Sequence, residues 1–317
     1  MTSRFHSSRL RVLAEPAVGS NQAAVRLAAA ARGLAGTARP DLGLRVLDSK
    51  TLGLAPADAN RLTDAFGRRL TYLRVSVTDR CNLRCSYCLP EDMAFPDRDF
   101  LAPREIAAMV GALVRLGIRR VRLTGGEPLV RRDILEIARL IKALPGVENL
   151  ALSTNGTELE RLAVPLREAG IDRVNISVDS LDAERFRAIT RRGDLEQVWR
   201  GVEAALAAGF APVKLNAVLL SRQNLEDVER LAGLTLDRPL AVRFIEMMPT
   251  ASNRHLQPEE YVSSDVARER IEQRFGALTP LTAEEAGPRT GPAAAFRLPK
   301  ARGTIGFITP LSHTFCA

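Results

Sequence analysis

The chain has 317 residues, 46% of them hydrophobic, enough for one large α/β domain or two smaller ones with a substantial core. Its net charge of +8 is uneven: residues 1–50 carry +5 and the other 267 only +3, which argues against a dedicated nucleic-acid binder. No apolar run reaches the roughly 20 residues of a membrane span, and four cysteines, three of them clustered, fit a reducing compartment better than a disulfide framework.

Residues 1–60 are rich in Arg, Ala, Ser and Gly, and Glu15 is the only acid before Asp41. That composition suits a disordered extension, a start site assigned too far upstream, or an organelle-targeting segment. Arg26 and Arg32 interrupt its Ala-rich part, so it is a poor secretory signal. From Leu70 short β-rich runs alternate with helical ones. Strands are expected at Tyr72–Val77, Arg119–Thr124, Leu150–Thr154, Arg173–Val178, Pro212–Leu220 and Leu240–Ile245. Helices are expected at Pro103–Leu116, 132–143, 157–169, within 182–208 and at 223–234. Six strand-helix units imply parallel strands with helical crossovers, an open or partial barrel of the TIM type. After Ile245 come a Pro-containing segment, a helix near 259–275, a Pro/Gly/Ala-rich stretch and an extended run Gly303–Thr309.

Cys81, Cys85 and Cys88 follow the first strand at the spacing C-x₃-C-x₂-C. Three thiols at that spacing suit one face of an iron-sulfur cube whose fourth iron stays open to a ligand. Zinc is the rival, although structural zinc wants four protein ligands and no further Cys or His lies nearby. Three core thiols are the remaining alternative.

Buried parallel strands normally read as continuous apolar runs, yet polar residues recur here at every second position: Arg122 and Thr124, Asn175 and Ser177, Lys214 and Asn216. This places them on one face, lining the barrel as a cavity for a polar anion, unless each is a solvated strand end. Gly125-Gly126-Glu127-Pro128 follows the second strand, where paired glycines allow close backbone approach to a ligand.

The stretch Thr78–Cys88, with Tyr87 just before the last cysteine, resembles the signature of the radical S-adenosylmethionine (SAM) superfamily. The likeness narrows with Leu73–Cys81, Arg122–Leu129 with Arg131-Arg132-Asp133, Ser153–Gly156, Asn175–Asp179, Val213–Asn216 and Arg243–Met248. From about Leu62 onward these motifs stand in the order of the GTP 3′,8-cyclase family, which opens molybdenum cofactor biosynthesis. The resemblance implies a [4Fe–4S] cluster on Cys81, Cys85 and Cys88, chelating SAM. It implies SAM contacts by Tyr87, Gly126, Ser177 and Met248, and GTP contacts by Arg74, Arg122, Ser153 and Lys214, with Ser153 standing where Thr is usual. The reaction implied is abstraction of the ribose 3′ hydrogen by a 5′-deoxyadenosyl radical and closure onto guanine carbon 8, giving 3′,8-cyclo-7,8-dihydro-GTP.

By the same resemblance residues 61–248 form the partial barrel, and 249–317 an incomplete region leading to a second cluster site. Cys316 is the only ligand of that site before Ala317, where the family continues with two more cysteines and an Arg-rich motif. A second [4Fe–4S] cluster is therefore expected only with that further segment, and cyclisation is expected to be impaired without it. Expected partners are GTP, SAM, an electron donor, a cyclic pyranopterin monophosphate synthase acting downstream and a second copy in a homodimer; nucleic acid and membrane are not expected. The expected location is the cytoplasm, or the mitochondrial matrix if residues 1–60 are a transit peptide. The alternatives kept open are another radical SAM enzyme with an auxiliary cluster, a non-catalytic SAM/GTP-binding remnant and a zinc-dependent nucleic-acid module.

Overall fold

The structure is a computed structural model that describes residues 62–64, 67–95, 99–248, 253, 258–282, 284–285 and 293–312. The N-terminal extension and Cys316 lie outside the described residues. Six parallel strands form in chain order: β1 (Tyr72–Ser76), β2 (Arg120–Thr124), β3 (Asn149–Thr154), β4 (Arg173–Ser177), β5 (Val213–Leu219) and β6 (Leu240–Glu246). The crossovers carry α1 (Pro103–Arg115), α2 (Ile134–Lys142), α3 (Leu159–Glu168), α4 (Ala183–Thr190), α5 (Leu195–Ala207) and α6 (Val228–Asp237). Short 3₁₀ turns at Pro128–Val130 and Leu225–Asp227 precede α2 and α6, so both helices start later than their apolar pattern suggests.

Strand order never reverses, running β1-β2-β3-β4-β5-β6. Right-handed crossovers of constant direction put every helix on the same face of the sheet. That face holds the core: Val121, Leu123, Leu150, Leu152, Val174, Ile176, Leu215 and Val242 are all buried. The alternate residues of each strand are left on the helix-free inner face, which is where the polar set lies.

Past β6, α7 (Ser264–Phe275) leads to β7 (Thr279–Pro280), β8 (Ala294–Arg297) and β9 (Thr304–Ile308). β9 pairs parallel with β6, and β8 and β7 follow antiparallel, so one nine-stranded sheet carries the described C-terminal strands as well. β9 coincides with the extended run expected at Gly303–Thr309. β8 was not foreseen, because alanine-rich sequence among Pro and Gly lacks strand propensity; pairing with β9 and Phe296 packed edge-on to Phe307 at 5.7 Å compensate. No helix among the described residues is long and apolar enough to cross a membrane.

Candidate active site

The cysteine loop leaves the C-terminal end of β1 and is held on two sides. Toward β2, the Gly126 N–H donates to the Thr78 carbonyl and the Glu127 N–H to the Arg80 carbonyl, both at 2.8 Å. A Cβ at Gly126 would lie 2.3 Å from the Arg80 oxygen, and one at Gly125, whose φ is +150°, would lie 2.3 Å from the Thr78 oxygen. The close approach predicted for the paired glycines is thus to the cysteine loop itself, which fills the space a side chain would need. Glu127 is buried and acts as a clamp: Oε1 accepts from the Leu129 N–H (3.0 Å) and the Thr154 hydroxyl (2.7 Å), and Oε2 from the Asn155 N–H (2.6 Å). Burial pushes its carboxyl up to about 7. Asn82 extends the link, donating to Thr157 Oγ1 at 2.9 Å and accepting from Asn155 at 2.7 Å.

Toward the far side, the Arg84 and Ser86 N–H groups donate to the carbonyls of Thr190 and Ile189 at the end of α4. Tyr87 reaches further, its hydroxyl donating to Asp179 Oδ2 at 2.8 Å. The Arg84 guanidinium turns back on its own loop, donating to the Cys81 and Leu83 carbonyls at 2.7 and 2.9 Å and stacking on Phe95.

Burial raises the pKa of all three thiols, and the thiols raise one another: Cys88 acts on Cys81, and Cys88 and Cys81 both act on Cys85. Three soft sulfur donors close enough to feel one another's charge stay protonated until a metal displaces their protons, which is the chemistry of a thiolate-ligated cluster. Among the described residues no three His, Cys, Asp or Glu side chains form a group that could hold a metal ion. A cube does not ask for that convergence, since each thiolate bonds a different iron. The donor set therefore fits a [4Fe–4S] cluster better than zinc.

The inner strand face supplies the second half of the site. Register sets Arg74 beside Arg122, Asn175 beside Lys214, Ser177 beside Asn216, and Asn216 beside Arg243. Arg122 donates to the Tyr72 hydroxyl at 2.6 Å and to Ser153 Oγ at 3.2 Å. Lys214 is buried, and desolvation, followed by the charges of Arg243, Arg173 and Arg122, lowers its pKa to about 6. Desolvation and the charges of Arg122 and Arg173 lower Arg243 to about 10. Gly306 lies opposite Arg243, where a Cβ would stand 3.2 Å from the arginine's Cγ. Like charges gathered in a poorly solvated space are unfavourable alone and favourable around a polyanion. The amide oxygens of Asn175 and Asn216 are buried with no hydrogen-bond partner among the described residues, as expected of groups that complete their bonding on a ligand.

The predicted residues thus fall into two groups. Cys81, Cys85, Cys88, Tyr87 and Gly126 share the cysteine loop and the turn packed on it, while Arg122, Ser153 and Lys214 share the inner strand face. Arg74 and Ser177 belong to the same face at exposed positions, and Met248 is exposed just past β6. Sequence reasoning did not single out Arg173, Arg243, Glu127 or Asp179 as site residues. Arg173 and Arg243 sit at alternate positions of their strands like Arg122 and Lys214, and that periodicity is the signal the sequence carries for them.

An open parallel barrel with a three-cysteine loop after its first strand is the architecture of a radical SAM protein, a class built around a [4Fe–4S] cluster and SAM. Residues 75–235 match the radical SAM superfamily, and residues 240–317 match the Molybdenum Cofactor Synthesis C family. In fold the chain is similar to Streptococcus suis SuiB solved with S-adenosylmethionine (TM-score 0.57, 14% identity, 90% of this chain and 60% of that one). Methylornithine synthase (PylB) gives a TM-score of 0.53 at 19% identity over 69% of this chain and 65% of that one. Among curated proteins it is 49% identical to the GTP 3′,8-cyclase of Pseudomonas entomophila over 259 residues, which is 81% of this chain and 76% of the relative. Identity to the GTP 3′,8-cyclase of Pelotomaculum thermopropionicum is 44% over 257 residues, 80% and 78% of the two chains. The chain belongs to the GTP 3′,8-cyclase family.

Proposed function

We propose that this chain is a radical SAM GTP 3′,8-cyclase that converts GTP to 3′,8-cyclo-7,8-dihydro-GTP at the start of molybdenum cofactor biosynthesis. The observation that carries the reading is the gathering of Arg122, Arg173, Lys214 and Arg243 on the inner strand face of a barrel whose rim holds the cysteine loop. A nucleoside triphosphate supplies the negative charge this face is built to receive.

Arg74, Arg122 and Lys214 bind phosphate and sugar oxygens in this reading, and Ser153 adds a hydroxyl from the neighbouring strand. Cys81, Cys85 and Cys88 hold the cluster. When bound, the cluster supplies the electron that cleaves SAM, and with it the radical that takes the ribose 3′ hydrogen. Gly126 offers its carbonyl to SAM, since its N–H is committed to Thr78. Tyr87 presents its backbone and ring, since its hydroxyl is committed to Asp179. Ser177 and Met248 approach SAM from the ends of β4 and β6. The barrel wall keeps water from the reacting ribose and fixes the distance between the two ligands.

A separate electron donor, a downstream cyclic pyranopterin monophosphate synthase, a homodimer and a cytoplasmic location belong to the same reading. Calorimetric titration of GTP and SAM separately onto the reconstituted protein tests it. Arg122→Ala should weaken GTP binding by about 1–3 kcal/mol, the scale of a lost charge-assisted hydrogen bond, and leave SAM binding nearly unchanged. Equal losses for both ligands would show that the cations serve a different pocket.

A further inference from the structure

We propose that Asp179 is a positioning residue for the Cys85–Cys88 limb of the cysteine loop, acting through the Tyr87 hydroxyl; the proposal rests on the cluster reading above. The limb is a tight turn, closed by the Cys88 N–H on the Cys85 carbonyl at 2.9 Å. Tyr87 lies between the two ligands, so wherever its ring is fixed, both cysteines follow. The ring packs against Ile189, Leu220 and Met247, apolar contacts that carry no direction, and its hydroxyl ends on Asp179 Oδ2 at 2.8 Å.

Asp179 is itself held on two sides. Oδ1 accepts from the Val218 N–H at 2.8 Å, and its carbonyl accepts from Asn224 Nδ2 at 2.7 Å. Asn224 also donates to the Val218 carbonyl at 2.7 Å, so β5 and the end of β4 fix the carboxylate jointly. Asp179 is only 2% exposed. A buried carboxylate facing two neutral donors costs more than an apolar pair of the same volume. What it adds here is direction: a fixed acceptor defines where the tyrosine ring stops. The Cys81 limb needs no such device, because backbone bonds to the Gly126–Glu127 turn hold it.

The test compares Y87F, D179A, D179N and the Y87F/D179A double variant, each as the full chain reconstituted anaerobically. The readouts are iron retained under chelator challenge and the SAM-dependent change in the electron paramagnetic resonance spectrum of the reduced protein, with thermal melting before reconstitution as the folding control. Y87F and D179A should each lose iron about tenfold faster than the unaltered chain, the effect of one hydrogen bond to a charged group, and both should blur the SAM-dependent spectrum. The double variant should lose iron no faster than either single variant. D179N should restore most of the retention, because an amide can still accept from Val218 and donate to the phenol oxygen. Normal retention and spectra in Y87F, or a double variant showing the product of two independent effects, overturns the proposal; if D179A does not fold, Y87F decides. Failure of the unaltered chain to take up iron overturns instead the cluster reading beneath it.

Discussion

The Lys214 ammonium offers the sharpest test of the cationic face, through its protons. Buried and facing Arg243, Arg173 and Arg122, it has a pKa of about 6 instead of 10.5. At pH 7.5 only about 3% of it is then charged in the free protein. A bound triphosphate reverses the local field and draws the proton back, so GTP binding at that pH takes up about one proton at Lys214. The sign follows: the bound-state pKa lies above the free-state value, so affinity is fully expressed below about pH 6. It then falls by up to tenfold per pH unit above that, a loss of roughly thirtyfold by pH 7.5. The terminal phosphate of GTP has its own second ionisation near pH 6, so the control is Lys214→Arg, whose guanidinium does not titrate in this range. Calorimetry in two buffers of unequal ionisation enthalpy measures the protons taken up. The unaltered chain should take up about one proton more per GTP than Lys214→Arg at pH 7.5. Equal uptake by the two would refute the placement of Lys214 among these arginines as a triphosphate contact.

Cys85→Ser should abolish the visible absorbance of the reconstituted cluster and all SAM cleavage, because a hydroxyl replaces a soft thiolate; normal cleavage would mean that these thiols are not the radical site. Gly126→Ala puts a methyl group where the Arg80 oxygen stands 2.3 Å away, so iron content should fall severalfold while the helical circular dichroism stays unchanged. Glu127→Gln turns an amide nitrogen toward a backbone donor and should lower stability to urea by about 1–3 kcal/mol. Glu127 has a folded pKa of about 7 against 4.5 in the open chain, so its contribution is present below about pH 4.5 and is lost as pH rises through 7. Urea curves of Glu127→Gln should lack that part of the pH dependence.

The barrel was legible because its strands carry two patterns at once. Residues such as Val121 and Leu123 mark the face that helices cover, while Arg122 and Thr124, alternating with them, mark the other, and the repeat of this pattern on β4 and β5 gave the inner lining. The cysteine spacing gave the cluster loop for a similar reason, since three ligands within eight residues need no long-range information. What the sequence could not show depends on register and on loops meeting across the barrel rim. Tyr87 and Asp179 are 92 residues apart, and nothing local to either predicts their bond. Arg173 opens β4, where a lone cation reads as a solvated strand end, and only the pairing of Asn175 with Lys214 on the neighbouring strand brings its charge to bear on Lys214. Gly125 and Gly126 read as a close-approach turn, but the neighbour they make room for is the cysteine loop.

On the proposed reading this barrel holds GTP with its ribose beside the SAM that the cysteine loop's cluster would cleave. A single turnover of the reconstituted, reduced protein with SAM and GTP carrying deuterium at ribose carbon 3′, followed by mass spectrometry of the 5′-deoxyadenosine released, tests that placement. One deuterium is expected in that product, and its loss in Lys214→Ala. Unlabelled 5′-deoxyadenosine from the unaltered chain, formed at the same rate with and without GTP, would contradict it.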